Sequence, residues 1–288
     1  MQLVLAALGL FVGLLGLTPM AAQAASKPRY YVSLGDSYSV GYQPGLGATP
    51  GYAAYTAAKT HMVLVNFGCA GATTTSILHT IGCPVVLPHT AGGQRYPSTT
   101  QLAAAQAFIA AHAGHIGLIT VSIGGNDVTA CASSDTPVLC VGGATATITS
   151  NVTQLAVALR AAAGPKVRIL GLSYPDVILG AYVYPTNPGS AQSIQLAQLS
   201  VTGFKDLVNP ALSAAYVGVG GRFVDVTSAT GAYAPLTTTV NTASYGTVPV
   251  AVASVCALTW YCQRGDIHPK SAGYLLEGKL IVRSFNSK

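Results

Sequence analysis

Short apolar runs alternate with Ala-rich stretches along most of the chain, and the two kinds of segment carry different periods. Tyr30–Leu34, Met62–Phe67, Ile116–Ile123, Val167–Leu172 and Arg222–Val226 are brief and dominated by Val, Ile, Leu and aromatic residues. That is the signature of strands covered on both faces. Gly51–His61, Thr99–His112, Ala144–Ala163 and Ser190–Tyr216 read as helices, the last with a break at Pro210, and Ser271–Ser284 closes the chain as another. Strands alternating with helices predict an α/β fold, a parallel sheet with helices on both faces. The stretch Thr227–Tyr261 departs from the pattern, being rich in Thr, Ala, Val and Tyr without a clear period. An ordered loop of that length is expected to be functional.

Ahead of this pattern Leu3–Ala22 is almost wholly apolar, and Ala22-Gln23-Ala24 has the small-x-small form of a signal-peptidase site. The expectation is a signal peptide over residues 1–24, cleaved near Ala24, and one catalytic domain over residues 25–288. No Lys or Arg precedes the run, which is also long enough to span a membrane, so a retained anchor is the alternative.

Composition narrows the class. Of 288 residues 50% are hydrophobic and only 8% charged, where globular domains carry about 25% charge. Disorder is excluded, because disordered chains are poor in apolar residues. The net charge of +6 is spread over single bases, which excludes a nucleic-acid stripe. Six cysteines fall as three close pairs, Cys69 with Cys83, Cys131 with Cys140, and Cys256 with Cys262. Local pairing into disulfides fits an oxidising compartment, and the absence of any C-x-x-C spacing speaks against zinc.

In a parallel sheet, ligands bind beyond the carboxyl ends of the strands, so polar residues that follow each strand should meet. Gly35-Asp36-Ser37 follows the first strand, Gly68-Cys69-Ala70-Gly71 the second, and Gly124-Gly125-Asn126-Asp127 the third. Gly265-Asp266-Ile267-His268-Pro269 precedes the last helix. A serine needs a base to take its proton, the base an orienting acceptor, and the oxyanion a set of fixed donors. Ser, Gly, Asn and His in these places supply those types.

The four segments resemble, in order, the signature blocks of the SGNH (GDSL-type) hydrolases, and the run Gly68–Thr74 resembles the secreted actinobacterial esterase and lipase branch, which also carries three disulfides. The resemblance implies a flavodoxin-like, three-layer α/β/α sandwich and a cofactor-free, metal-free serine esterase or lipase acting on carboxylic esters. It assigns Ser37 as nucleophile and His268 as general base, with Ser37 N–H, Gly71 N–H and the Asn126 side chain as the oxyanion hole. Two positions depart from the pattern. Tyr38 stands where the family name has Leu, and the position three residues before His268, usual for the triad acid, is Gly265. Either Asp266 reaches the imidazole from two residues away, or the Gly265 carbonyl takes that bond in a dyad; Asp225 is a remote third candidate.

The Thr227–Tyr261 segment is expected to line the acyl pocket through Val248, Val250, Val252, Leu258 and Trp260, or else only to pack against the body. A carbohydrate O-acetyl esterase with the same residues is the nearest alternative, and a non-catalytic secreted binding protein the next. The expected partners are a small-molecule or lipid ester and transient contact with a lipid interface, the chain itself being monomeric. No Gly-x-Ser-x-Gly elbow is present, and Gly273–Lys279 matches a phosphate loop only until Leu280 replaces its Ser or Thr.

Overall fold

The computed structural model describes residues 28–287, so the apolar run Leu3–Ala22 and the cleavage site at Ala24 lie outside the described residues. Five strands form the central sheet: β1 (Tyr30–Gly35), β2 (Val63–Asn66), β3 (Ile116–Ser122), β4 (Arg168–Leu172) and β5 (Arg222–Val224). All neighbours are parallel, in the order β2-β1-β3-β4-β5. The chain steps outward from β1 to β2 and then returns to the other side of β1, which puts the topological switch between β1 and β3.

The pleat sends alternate side chains to opposite faces. Tyr31, Leu118, Leu170 and Val224 pack beneath α1 (Gly51–Thr60) on one face. Val32, Leu34, Ile119, Val121 and Ile169 pack on the other. Three helices cover that second face: α3 (Gln101–Ala111) and α5 (Pro137–Ala163), then α7 (Asn209–Val217). The short α2 (Thr74–His79) and α4 (Gly125–Thr129) follow β2 and β3, and α6 (Ala191–Thr202) leads towards α7. After β5 come α8 (Val226–Ala229), α9 (Val250–Leu258) and α10 (Tyr261–Arg264), and α11 (Ser271–Asn286) completes the first layer beside α1. The result is the three-layer α/β/α sandwich.

Three expectations need correction. The helix expected from Ala144 begins at Pro137, where the proline occupies the first turn and needs no N–H partner, so Gly142-Gly143 does not interrupt it. The expected break at Pro210 is a π turn over Gly203–Val208 that joins α6 to α7 without interruption. Proline lacks an N–H and its ring crowds the carbonyl four residues back, and a widened turn just upstream absorbs both. Thr227–Tyr261 is not a loop either: it holds α8, a hairpin pairing Thr239–Thr242 with Gly246–Pro249, and α9. Val248 and Val252 bury themselves there against Leu179 and Val183 in a third, smaller core.

Disulfides join Cys69 to Cys83, Cys131 to Cys140 and Cys256 to Cys262, with Cα separations of 5.5, 5.5 and 5.2 Å. Among the described residues no helix is long and apolar enough to cross a membrane.

Between the sheet and its α1–α11 layer lies an unusual polar group. Glu277 is buried with both carboxyl oxygens unpartnered, as are the Tyr52 hydroxyl and the Thr56 Oγ1. Burial pushes the Glu277 carboxyl well above its usual range, and the nearby Asp36 charge adds to the shift. In the unfolded chain it ionises above about pH 4.3, so native protein holds a proton that unfolded protein gives up. Its contribution is therefore fully present below that pH and is lost as pH rises. Glu277→Gln should gain stability over the parent between pH 4 and pH 8, on the order of 1–3 kcal/mol. Urea denaturation at both pH values measures this; a difference that does not change with pH contradicts it.

Candidate active site

The segments that follow β1, β2 and β3 and the loop that precedes α11 converge at the carboxyl edge of the sheet, beside the switch point. Gly35 ends β1 at φ 139°, and a Cβ there would lie 2.1 Å from the Ser122 carbonyl oxygen of β3, so only glycine passes. Its peptide groups are gripped by a side chain from the start of α3. Gln101 Oε1 accepts the Gly35 N–H at 2.7 Å and Nε2 donates to the Gly35 carbonyl at 3.1 Å. The turn beyond is closed by Asp36, whose Oδ1 accepts the Tyr38 N–H at 2.9 Å. Tyr174, from the loop after β4, donates its hydroxyl to Asp36 Oδ2 at 2.6 Å. Burial pushes the Asp36 carboxyl up to about 7 against these two donors.

Ser37 stands on this turn, and its Oγ lies 2.8 Å from His268 Nε2. The His268 Nδ1 meets Asp266 Oδ1, also at 2.8 Å. A carboxylate only accepts, so Nδ1 carries the proton and Nε2 is left to accept the serine hydroxyl. The two-residue spacing works because Asp266 Oδ1 also accepts the His268 backbone N–H at 2.9 Å, an Asx-type turn that folds the carboxylate back over its own loop. This is the one salt bridge among the described residues. Burial lowers the His268 pKa below its ordinary value, while the hydrogen bond and charge of Asp266 act to raise it. Burial thus favours the neutral imidazole, the form that can accept a proton.

The loop carrying His268 is closed on itself. The Trp260 N–H donates to the His268 carbonyl at 3.0 Å, and Thr259 bridges Pro269. The Cys256–Cys262 disulfide ties its approach, from α9 into α10. Asp225 lies elsewhere: its Oδ1 accepts the Ser228 N–H at 2.8 Å and caps α8. Trp260 belongs to the His268 loop, where its Nε1 donates to Gln43 at 3.3 Å and Arg264 stacks over its ring.

The other two blocks are fixed from behind. Gly71 adopts φ 78° with open space beside it. Cys69, two residues earlier, is anchored by its disulfide to Cys83. Asn126 Nδ2 donates to the Ala72 carbonyl at 2.8 Å, which leaves its second amide hydrogen free. Asp127 Oδ2 accepts the Thr74 N–H at 2.9 Å and its Oδ1 the Thr74 hydroxyl at 2.6 Å, so the block after β3 is locked to the start of α2. Asn66 joins the first two blocks, donating to the Ser39 carbonyl at 2.8 Å and accepting the Gly68 N–H at 3.0 Å. The supporting roles of Gln101, Asn66 and Tyr174 were missed from sequence. Each is a lone polar residue at an element boundary, and nothing in its local pattern marks it.

An apolar cleft of about 140 Å³ opens beside Ser37. Val128 and Cys131 line it after β3, Val141 in α5, Val177 and Ile178 after β4, and Leu199, Phe204 and Leu207 from α6 into the π turn. Val248, Val250, Val252, Leu258 and Trp260 do not line it, which corrects the expectation that Thr227–Tyr261 forms the pocket wall. That segment supports the cleft indirectly, packing behind the turn Val177–Tyr182. Among the described residues no cluster of His, Cys, Asp and Glu is arranged to hold a metal; His112 instead bonds the Phe108 carbonyl through Nδ1.

Hydroxyl, imidazole and carboxylate in series, next to an apolar cleft, form the arrangement that activates a serine towards an acyl group. Comparison with solved structures finds the same fold in lipolytic enzymes. A phospholipase A1 from Streptomyces albidoflavus NA297 matches at TM-score 0.54 and 19% identity, over 91% of this chain and 100% of that one. An extracellular lipase from Streptomyces rimosus matches at TM-score 0.53 and 20% identity, over 90% and 100%. The lipase Lip_vut3 from a goat rumen metagenome matches at 0.54 and 17%, over 89% and 97%. At these identities the likeness is one of fold. Comparison with curated proteins gives no match. The model of the GDSL-like lipase/acylhydrolase family, however, matches residues 33–276, which span all four blocks, and the chain is accordingly a member of that family and a carboxylic ester hydrolase.

Proposed function

We propose that the protein is a secreted esterase or lipase that cleaves carboxylic esters through an acyl-enzyme on Ser37. The observation that carries this reading is the unbroken series from Ser37 Oγ through His268 to Asp266, two contacts of 2.8 Å each, at the mouth of the apolar cleft. His268 Nε2 takes the Ser37 proton as Oγ bonds to the ester carbonyl carbon. The Ser37 and Gly71 N–H groups and the free Asn126 amide hydrogen receive the oxyanion. Collapse breaks the bond to the alcohol, which leaves with the proton from His268. Water then gives its proton to His268, attacks the acyl-enzyme and releases the acid, and Ser37 recovers its hydrogen. Asp266 holds the imidazole tautomer and stabilises the imidazolium formed at each step.

The cleft supports an apolar acyl chain. An O-acetyl esterase needs room for two carbons only, and the wall from Val128 to Leu207 extends well past that. Three disulfides support an oxidising, extracellular setting. Leu139, Leu199 and Leu207 stand exposed on α5, α6 and the π turn, where they suit transient contact with a lipid surface.

Turnover of p-nitrophenyl esters from acetate to palmitate should peak at medium or long chains and vanish in Ser37→Ala; a peak at acetate contradicts the acyl assignment. Val141→Trp, which fills the cleft without touching Ser37, should move the optimum to shorter chains, and an unchanged chain-length profile would place the acyl group elsewhere. Asp266→Asn should lower kcat by roughly 10⁴-fold. Because Asp266 raises the His268 pKa, the acid limb of the pH profile should also move to lower pH in that variant. A loss under about tenfold with an unmoved limb would return the role to a backbone carbonyl.

A further inference from the structure

The residue after the nucleophile is a buried tyrosine, and its hydroxyl reaches across to the other half of the site. Tyr38 Oη donates to the Ile267 carbonyl at 2.5 Å, joining residues 229 positions apart. Ile267 and His268 share one peptide bond. Its carbonyl is held by Tyr38 and its N–H by Asp266 Oδ1 at 2.9 Å, so the plane is gripped at both ends. The next peptide is held through the His268 carbonyl by Trp260. We propose that Tyr38 is a positioning residue for the general base, fixing the Ile267–His268 peptide so that Asp266, set only two residues from the imidazole, meets Nδ1 while Nε2 meets Ser37. The inference rests on the assignment of Ser37 and His268 in the proposed function.

The physical argument is one of rotational freedom. With the acid two residues away, one oxygen must satisfy both the backbone N–H and the ring Nδ1 of the same histidine. Both bonds depend on the orientation of one peptide plane, and a rotation that frees the N–H also swings the ring. The Ile267 carbonyl points opposite to that N–H across a trans peptide. A donor fixed on the carbonyl side therefore opposes the rotation directly. Tyr38 is a stiff donor: its ring is buried, meets Tyr174 edge-on at 4.8 Å and lies 6.1 Å from Tyr274. Tyr174 is itself bonded to Asp36, on the same turn as Ser37. Nucleophile and base are thus referred to one rigid aromatic post, with Tyr42 closing on the imidazole edge-on at 4.5 Å. A leucine at position 38 would fill the space and leave the carbonyl free.

Tyr38→Phe removes the hydroxyl alone. The expected result is a kcat lower by roughly tenfold with KM for a p-nitrophenyl ester unchanged, since the Tyr38 ring that lines the cleft is kept and the lost hydroxyl is engaged with the Ile267 carbonyl. The titratable groups facing the imidazole are Asp266 from its own loop and Tyr38 and Tyr42 from the turn after β1. With the peptide released, Asp266 supports the imidazolium less, and the acid limb should move to lower pH. Tyr52→Phe, which removes a buried hydroxyl with no partner among the described residues, should change neither kcat nor the limb. Thermal melting within a few degrees of the parent verifies that both variants are folded. Full kcat with an unmoved limb in Tyr38→Phe, or an equal fall in Tyr52→Phe, would overturn the proposal. Persistent turnover in Ser37→Ala would instead overturn the assignment beneath it, so the two failures are distinguishable.

Discussion

A contact of 2.8 Å between Ser37 Oγ and His268 Nε2 joins residues 231 positions apart, and the rest of the structure is organised to hold it. One partner sits on the turn after β1; the other sits on a loop reached only after every strand has been laid down. The loop is placed from two directions. The third core, with Val248 and Val252 on Leu179 and Val183, seats α9 and hence the Cys256–Cys262 disulfide. The turn after β1 receives the loop through Tyr38 on the Ile267 carbonyl and Gln43 on Trp260.

The scarcity of charge bears on how this is done. Of the eight acidic residues, Asp135 and Asp206 alone are exposed. Asp127 locks the block after β3 to α2, Asp225 caps α8, Asp266 accepts from the imidazole Nδ1, and Asp36 closes the turn that carries Ser37. Asp176 is buried beside the cleft with Ser200 of α6 donating to it at 2.9 Å, and burial pushes its carboxyl up to about 7. Glu277 has no such partner and is the exception. Carboxylates here act mainly as local acceptors that fix turns and caps, where an unpaired N–H would otherwise be costly.

The strands and their parallel sheet were legible because strands buried on both faces are written as continuous Val, Ile and Leu runs, and the chain alternates them with helices. The four blocks were legible because each chemistry-bearing residue lies within a few positions of a strand end or helix start. The wall of the cleft was not. Thr227–Tyr261 looked apolar and aperiodic because its residues feed a hairpin and a short helix that bury themselves in a local core, and apolar content alone does not say which surface it faces. The true wall comes from residues such as Val141, in an Ala- and Thr-rich helix, and Phe204, in the π turn, which make no run of their own. The π turn at Gly203–Val208 was hidden for a related reason: Pro210 signals trouble, and tertiary packing decides whether the helix breaks or widens. The Asp266 question turned on a single oxygen serving two donors, which spacing alone cannot express.

The central claim is that Ser37 is an activated nucleophile within an otherwise ordinary set of serines. Labelling the folded protein at pH 7 with a fluorophosphonate, followed by peptide mapping and mass spectrometry, tests it directly. A single adduct on the peptide containing Ser37 is the predicted result. An adduct on another serine, or none at all on folded protein, would contradict the account.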